Sequence, residues 1–503
     1  MAEKAWHEES FPEIASYILA IDQGTTGTRA ILYNGAGQAV SQAYQELRQY
    51  YPKPGWVEHD PAEIWRSTLK VVSEALSRGR ISANRIAAIG ITNQRETAIF
   101  WDRRTGRPLH RAVVWQDRRT SEICRSLKAH EPEVRRTTGL VLDPYFSGTK
   151  IAWLIRHAPS VSRAALSGRA VFGTPDSWLL WNLTGGRMHA TDFTNASRTL
   201  LLDLKTLRWS ERMKKLFGVP EEMLPRPLPS AGKFGVTARV GPLPAGIPIT
   251  GIAGDQQAAL FGQGCVQPGQ AKNTYGTGCF LLMQTGRKII HSKHGLITTV
   301  ACDGAGKPSY ALEGSVFIAG AAIQWLRDGL RMIRNAAESE ALARSVPDTG
   351  GVFLVPAFVG LGAPYWNPAA RGLICGLTRG TTRAHLARAA LESIAYQSQE
   401  LMEAMQRDSR VRLSSLKVDG GAVKNALLLQ MQADLCGVPV VRPKNIETTA
   451  LGAAQLAGLG CGFWNGQDLS RMRRPDRTFR PGWDPARRKD AIAGWKQAVR
   501  RAL

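Results

Sequence analysis

Residues 17–33 read YILAIDQGTTGTRAILY. Tyr17 to Ile21 is a short apolar run of strand type, Asp22 to Thr28 interrupts it with polar and glycine residues, and Arg29 to Tyr33 resumes the strand pattern. That layout predicts a β-hairpin with a polar turn. Residues 271–283, AKNTYGTGCFLLM, repeat it: a strand to Tyr275, the turn Gly276-Thr277-Gly278, and a strand from Cys279. Two hairpins of one design, one opening each half, predict two related α/β domains that meet near Gly262.

Working outward, Asp60-Pro61-Ala62-Glu63 has the layout of a helix start, with a capping Asp, Pro in the first turn and Glu three residues on. Ile64, Trp65, Thr68, Leu69, Val72 and Leu76 follow at helical spacing. Ile86 to Thr92 reads as a buried strand ending at Asn93-Gln94-Arg95-Glu96. Ile247 to Ile252 is another, closed by Gly254-Asp255-Gln256-Gln257 ahead of a helix opening at Ala258. Such alternation of strands and helices indicates an α/β protein. The expected divisions are an N-terminal extension (1–16), a first domain (17–262), a second domain (263–470) and a basic C-terminal segment (471–503). That last segment ends in a helix with Ile492, Trp495 and Val499 on one side.

The 503 residues carry 65 Lys+Arg against 41 Asp+Glu, a formal charge of +24, with 44% hydrophobic and 21% charged residues. That balance excludes a disordered chain. The mean hydropathy of −0.20 and the lack of an apolar run near ~18 residues predict no transmembrane helix. Residues 1–16 have no apolar core of a secretory signal, and seven scattered cysteines form neither a disulfide framework nor a CxxC. A cytosolic, reduced protein is expected. The basic residues are spread in short pairs such as Arg103-Arg104 and Arg118-Arg119, so a charged solvated surface is expected rather than a dedicated nucleic-acid site.

Gly24-Thr25-Thr26-Gly27 taken singly reads as an ordinary turn, or as one that wraps phosphate through close backbone N–H groups and added hydroxyls. Asp22 before the first turn and Arg29 after it add a carboxylate for Mg²⁺ and a cation for phosphate. Asp255, at a strand end and a helix start, reads either as an N-cap or as a general base for an attacking hydroxyl. Arg95 and Glu96 read either as an exposed loop pair or as donors and an acceptor of the kind a polyol needs, and Trp115 and Phe280 either as core residues or as apolar faces for its carbons. Asp419-Gly420-Gly421-Ala422-Val423-Lys424-Asn425 reads as a strand-to-helix junction where a base or phosphate can approach, or as a simple tight turn.

Assembled in order, the segments resemble the FGGY carbohydrate kinases. The matching stretches are AIDQGTTGTRA from Ala20, PKPGWVEHDP from Pro52, GITNQRET from Gly90, DPYFSGTK from Asp143, FTNASRT from Phe193 and GIAGDQQAALFGQ from Gly251. KNTYGTGCF from Lys272, LEGSVFIAGAAIQWLRD from Leu312, PAFVGLGAPYW from Pro356 and VDGGAVKN from Val418 continue them. The resemblance implies an α/β chain of two ribonuclease H-like, actin-type ATPase domains around a central catalytic cleft. It implies phosphorylation of glycerol by ATP with Mg²⁺, and a homo-oligomer, dimer or tetramer. Carried over residue by residue, it assigns glycerol contacts to Arg95, Glu96, Trp115, Tyr145, Asp255, Gln256 and Phe280. It assigns nucleotide contacts to Thr25, Thr26, Gly27, Arg29, Thr277, Gly320, Gln324, Gly421 and Asn425. Asp22 and Asp255 fall on the Mg²⁺ carboxylates, and Asp255 on the catalytic base. A kinase for another polyol or ketose, and an actin-like ATPase with no small-molecule acceptor, are the alternatives. Some bacterial members are inhibited by fructose 1,6-bisphosphate at a Gly-rich loop with an essential Arg. The corresponding Val240–Gly246 here has no Arg, which predicts insensitivity at this site.

Overall fold

Ile18 to Ile21 have no exposed surface, and the strand that contains them, β1 (Tyr17–Gln23), pairs antiparallel with β2 (Gly27–Asn34), Asp22 opposite Arg29. This is the expected first hairpin, in a computed structural model that describes residues 15–367 and 369–503; most of the expected N-terminal extension lies outside them. β3 (Ala39–Glu46) pairs with β2 at the edge of the sheet and is mostly exposed, with Ala43 alone of its residues buried. The helix α1 (Pro61–Gly79) then crosses back, with its apolar face of Ile64, Val71, Val72, Ala75 and Leu76 buried. Asp60 caps it as expected, accepting the Ala62 N–H at 2.9 Å. Glu63 does not complete a reciprocal capping pair. It accepts the Arg48 N–H at 3.0 Å, tying the helix start to the segment after β3.

β4 (Ile86–Asn93) is buried throughout and runs parallel to β1, which explains its unbroken apolar sequence. With β5 (Ala231–Val236) and β6 (Pro248–Gly254) the first sheet has the order β5-β6-β4-β1-β2-β3, β6 parallel to β4. The second sheet comprises β7 (Gln270–Tyr275), β8 (Cys279–Gly286), β9 (Ile297–Cys302), β10 (Pro308–Val316), β11 (Ser415–Asp419), β12 (Val440–Pro443) and β13 (Pro475–Phe479). Its order is β9-β10-β8-β7-β11-β12-β13. Here β7 and β8 form the second hairpin, β10 is antiparallel to β8, and β11 and β12 run parallel on the other side. The core runs β3-β2-β1-β4-β6 and β10-β8-β7-β11-β12 are therefore the same topology.

The helices that bear on the site and its supports are α2 (Ser147–His157), α3 (Asp255–Gly262), α4 (Gly320–Gln324), α5 (Arg383–Ser409), α6 (Ala426–Cys436), α7 (Thr448–Cys461) and α8 (Pro485–Ala502). α3 opens at Asp255, three residues before the expected Ala258. The second core gathers on the long α5, where Tyr396 stacks on Trp495 of α8 at 5.1 Å, and Trp495 and Val499 are buried as their spacing predicted. Two α/β units, each built on a mixed sheet, agree with the expected fold class.

The chain divides into residues Met1–Gly264, Thr299–Pro308 and Thr449–Met472 in one unit, and Cys265–Thr298, Ser309–Thr448 and Arg473–Leu503 in the other. This differs from an expected second domain running unbroken over 263–470, because α7 packs on the first sheet. A Cβ at Gly251 would stand 2.8 Å from the Ala457 Cα, and one at Gly90 would stand 2.7 Å from the Ala453 carbonyl carbon. Only glycine lets helix and strand backbones come that close. Among the described residues no helix is long and apolar enough to cross a membrane.

Candidate active site

Three parallel neighbours of the first sheet, β1, β4 and β6, end side by side, with Asp22, Thr92 and Ala253 in one row. Ligands of α/β sheets gather beyond such carboxyl ends. Beyond β4 the chain turns through Gln94, Arg95 and Glu96, each under 4% exposed. Beyond β6 it passes Gly254 into α3. A Cβ at Gly254 would lie 2.7 Å from the Arg95 Cγ and Cδ, so glycine there makes room for the guanidinium stem.

Arg95 is the hub of the first unit's polar cluster. Its Nε stands 3.2 Å from Asp255 Oδ1, its Nη1 donates to Gln257 Oε1 at 3.2 Å, and its Nη2 donates to the Tyr145 hydroxyl at 3.4 Å. Gln257 is itself fixed through Nε2, to Thr299 Oγ1 at 3.0 Å and the Val300 carbonyl at 3.2 Å. Glu96 has a positive φ of 63°, and its carboxylate takes the Arg198 Nε–H at 2.5 Å, with Arg95 farther away at 3.9 Å. Two guanidinium groups and two carboxylates thus alternate, Arg198–Glu96–Arg95–Asp255, which lets the first three stay charged while buried.

Asp255 is not the N-cap of α3. Gly254 holds that position, and Asp255 is the first helical residue. Its Oδ1 accepts the Gln256 N–H at 2.7 Å and faces Arg95, while its side chain stays 31% exposed. A carboxylate oriented by a buried cation yet open to solvent can still accept a proton.

Trp115 and Tyr145 meet edge to face, ring centres 5.6 Å apart. The indole Nε1–H of Trp115 donates to Thr25 Oγ1 at 2.8 Å, so a wall of this site also steadies the first hairpin turn. That turn is closed by Gly24 N–H to the Gly27 carbonyl at 2.9 Å, and the Thr26 carbonyl takes the Leu47 N–H and the Tyr44 hydroxyl. Arg29 lies over the Tyr44 ring at 5.5 Å.

In the second unit, the Gly276-Thr277-Gly278 turn is closed in the same way, Gly276 N–H to the Gly278 carbonyl at 2.9 Å. The N–H groups of Ala319, Gly320 and Ala321, where α4 begins, donate to the Thr277 and Gly276 carbonyls at 2.8–3.1 Å. Gln324 ends α4 and is exposed. Gly420 has φ 91°, while a Cβ added at Gly421 would meet nothing within 4 Å. Asn425 caps α6, its Oδ1 accepting the Leu428 N–H at 2.9 Å. Phe280 stands half-buried on β8, opposite Thr274 and Ser315.

The structure therefore brings Arg95, Glu96, Trp115, Tyr145, Asp255 and Gln256 together in the first unit, beside Asp22 and the Thr25–Arg29 turn. Phe280, Thr277, Gly320, Gln324, Gly421 and Asn425 stand in the second. Sequence reasoning missed Arg198, Lys150 and Gln257 as partners of the site. The first two sit in motifs that carry the resemblance, FTNASRT and DPYFSGTK, and Gln257 directly follows the Asp255-Gln256 pair.

Comparison with known proteins identifies the family. Residues 17–262 match the N-terminal domain, and residues 271–461 the C-terminal domain, of the FGGY family of carbohydrate kinases. The chain is 57% identical over 489 residues to the glycerol kinase of Symbiobacterium thermophilum, covering 97% of this chain and 98% of that one. It is 55% identical over 490 residues to glycerol kinase 2 of Thermotoga maritima, covering 97% and 99%. Among solved structures it resembles the Plasmodium falciparum glycerol kinase with ADP, at 40% identity and a TM-score of 0.91, covering 97% of this chain and 98% of that one. The chain belongs to the FGGY family of carbohydrate kinases.

Proposed function

We propose that this chain transfers the γ-phosphoryl group of ATP to glycerol, releasing ADP and sn-glycerol 3-phosphate. The observation that carries the reading is the buried Arg95 aimed at both Asp255 and the Tyr145 hydroxyl, beside Glu96. Relatives at 55–57% identity over nearly their whole length bear the name glycerol kinase, which supports the same acceptor.

In this reading Arg95, Glu96 and Gln256 exchange hydrogen bonds with the acceptor hydroxyls, and Trp115 and Tyr145 flank its carbons. A primary hydroxyl oxygen bonds to the γ-phosphorus as the bond from phosphorus to the ADP oxygen breaks. The hydroxyl proton passes to Asp255. Arg95 keeps that carboxylate facing the acceptor and disperses its charge before the proton arrives. Thr25, Thr26, Gly27 and Arg29 offer hydroxyl, backbone and guanidinium donors to the phosphates. In the second unit the nucleotide contacts are assigned to Thr277, Gly320, Gln324, Gly421 and Asn425, with Phe280 on the acceptor.

Mg²⁺ takes one or two carboxylates and fills its remaining positions with water and phosphate oxygen. Asp22 fits that need, a half-buried carboxylate at the end of β1 opposite Arg29, with Asp255 as the second group. When bound, the ion supplies neutralisation of phosphate charge. A cytosolic place accords with seven cysteines that remain thiols, none of them in a disulfide.

The test is coupled ADP release with glycerol, dihydroxyacetone, xylulose or no acceptor. Glycerol is expected to give the highest kcat/KM. Equal release without an acceptor would contradict the reading in favour of an ATPase, and preference for xylulose would move it to a ketose kinase.

A further inference from the structure

Lys150 lies on α2 with no exposed surface. Its ammonium does not end on a carboxylate. Nζ donates to three successive main-chain carbonyls, those of Pro144 at 2.7 Å, Tyr145 at 2.5 Å and Phe146 at 3.3 Å. An ammonium has three protons, and here each has its own acceptor. Burying such a group is costly unless every proton is matched, and an uncharged side chain of similar length would fill the same space. What an uncharged side chain cannot do is draw three carbonyls to one point.

The consequence falls on Tyr145. Its N–H is held by Asp143 Oδ1 at 2.9 Å, and Asp143 is held in turn by Arg118 at 2.7 Å. Its carbonyl is held by Lys150. With both ends of the residue fixed, the ring is presented to Trp115 on one side, and the Arg198 guanidinium lies 5.4 Å from the ring centre. The hydroxyl reaches Arg95. We propose that Lys150 is a positioning residue of the acceptor site, gathering the 144–146 carbonyls so that the Tyr145 ring and hydroxyl stand at the right height against Arg95 and the acceptor. This rests on the reading of the chain as a glycerol-phosphorylating enzyme.

Burial brings the Lys150 ammonium down to about 8. The charged groups facing it oppose that fall: Glu96 beyond β4, Asp117 in the turn after Trp115, and Asp143 ahead of α2. Cys124, on the Ser121–Ser126 helix, is pushed up to about 12 and stays neutral. Above about pH 8 the neutral amine keeps two protons for three carbonyls, and its lone pair faces the third.

The experiment is steady-state kinetics of the full chain and of Lys150→Met, varying glycerol and ATP separately. Losing the three bonds should raise the glycerol KM of Lys150→Met by roughly 10- to 100-fold, with the ATP KM within about twofold. In the unaltered chain the glycerol KM should climb as pH passes through about 8 while the ATP KM stays level, and Lys150→Met should lack that climb. A folded Lys150→Met with an unchanged glycerol KM would overturn the proposal, as would equal rises in both KM values. Should Lys150→Met not fold, the unaltered chain decides: a glycerol KM level through pH 8 overturns the proposal, and a selective climb upholds it. An unaltered chain inactive on glycerol would overturn the acceptor reading together with this proposal. An active chain indifferent to Lys150 would overturn this proposal alone.

Discussion

The two units carry different chemistry at the same topological point. In each, a hairpin opens the sheet and a parallel strand follows beside its first arm. In the first unit that strand is β4, and it ends in Gln94-Arg95-Glu96, side chains that are charged or polar and almost wholly buried. In the second it is β11, and it ends in Gly420-Gly421, bare backbone with open space beside Gly421. Buried donors and acceptors suit a small polyol, whose hydroxyls need individual partners. Bare backbone suits a phosphate or a flat base, which needs close approach. The hairpin turns differ in kind too. Besides the Leu47 N–H, the first is steadied by side chains, Trp115 on Thr25 and Tyr44 on Thr26, and the second by the main-chain N–H groups that begin α4. In the proposed reading one scaffold takes two ligands because the residues at its strand ends differ, not because its topology does.

The comparison can be broken most severely at Asp255. Asp255→Asn keeps the size and removes the base, so kcat should fall by about 10²–10⁴ while ADP still binds. Turnover close to that of the unaltered chain would remove the base from the first unit. Gly420→Ala should act on the other side. With φ at 91° and an added Cβ 2.8 Å from the Tyr275 carbonyl carbon, the change forces backbone to shift. It should cost about 1–3 kcal/mol of stability and weaken ADP binding, measured by thermal unfolding and calorimetry, with the glycerol KM little altered. Trp115→Phe probes the place where the division blurs. Losing the indole N–H to Thr25 should cost roughly 0.5–1.5 kcal/mol, read as small rises in both KM values. The smallest effect is expected at Val240–Gly246. The N–H groups of Val240 and Leu243 are spent on each other's carbonyls, and that of Gly246 on Thr237. Fructose 1,6-bisphosphate should therefore leave activity unchanged at physiological salt. Saturable inhibition competitive with neither substrate would contradict this.

The hairpins were legible because their signals are local: β-rich runs broken by glycine and threonine within a few residues. The start of α1 was legible for the same reason, except that Glu63 turned to Arg48, a partner its neighbours in sequence do not reveal. Arg95, Tyr145 and Asp255 were legible through motifs, and the structure brings Tyr145 and Asp255 each within reach of Arg95. The supporting cations were not. Arg198 meets Glu96 across 102 residues of sequence, and in a chain of +24 charge a buried Arg or Lys looks like any surface one. The return of α7 to the first unit was hidden likewise, since it depends on Gly90 and Gly251 facing alanines some 200 residues or more beyond them. Asn425 shows the reverse difficulty. A residue named for the nucleotide also caps α6, and a sequence motif cannot separate the two duties.

The central claim of the proposed reading is that Arg95 of the first unit serves the acceptor and Gly421 of the second serves the nucleotide. Its most direct test sets Arg95→Ala beside Gly421→Val, with ADP affinity measured by calorimetry without glycerol and glycerol kcat/KM measured at saturating ATP. The account predicts opposite losses. Arg95→Ala should lose at least about 1–3 kcal/mol in glycerol efficiency and keep its ADP affinity, because it strips buried partners from the first site alone. Gly421→Val, which has room to fold, should lose ADP affinity and keep its glycerol efficiency. Parallel losses of both quantities in either variant would contradict the division.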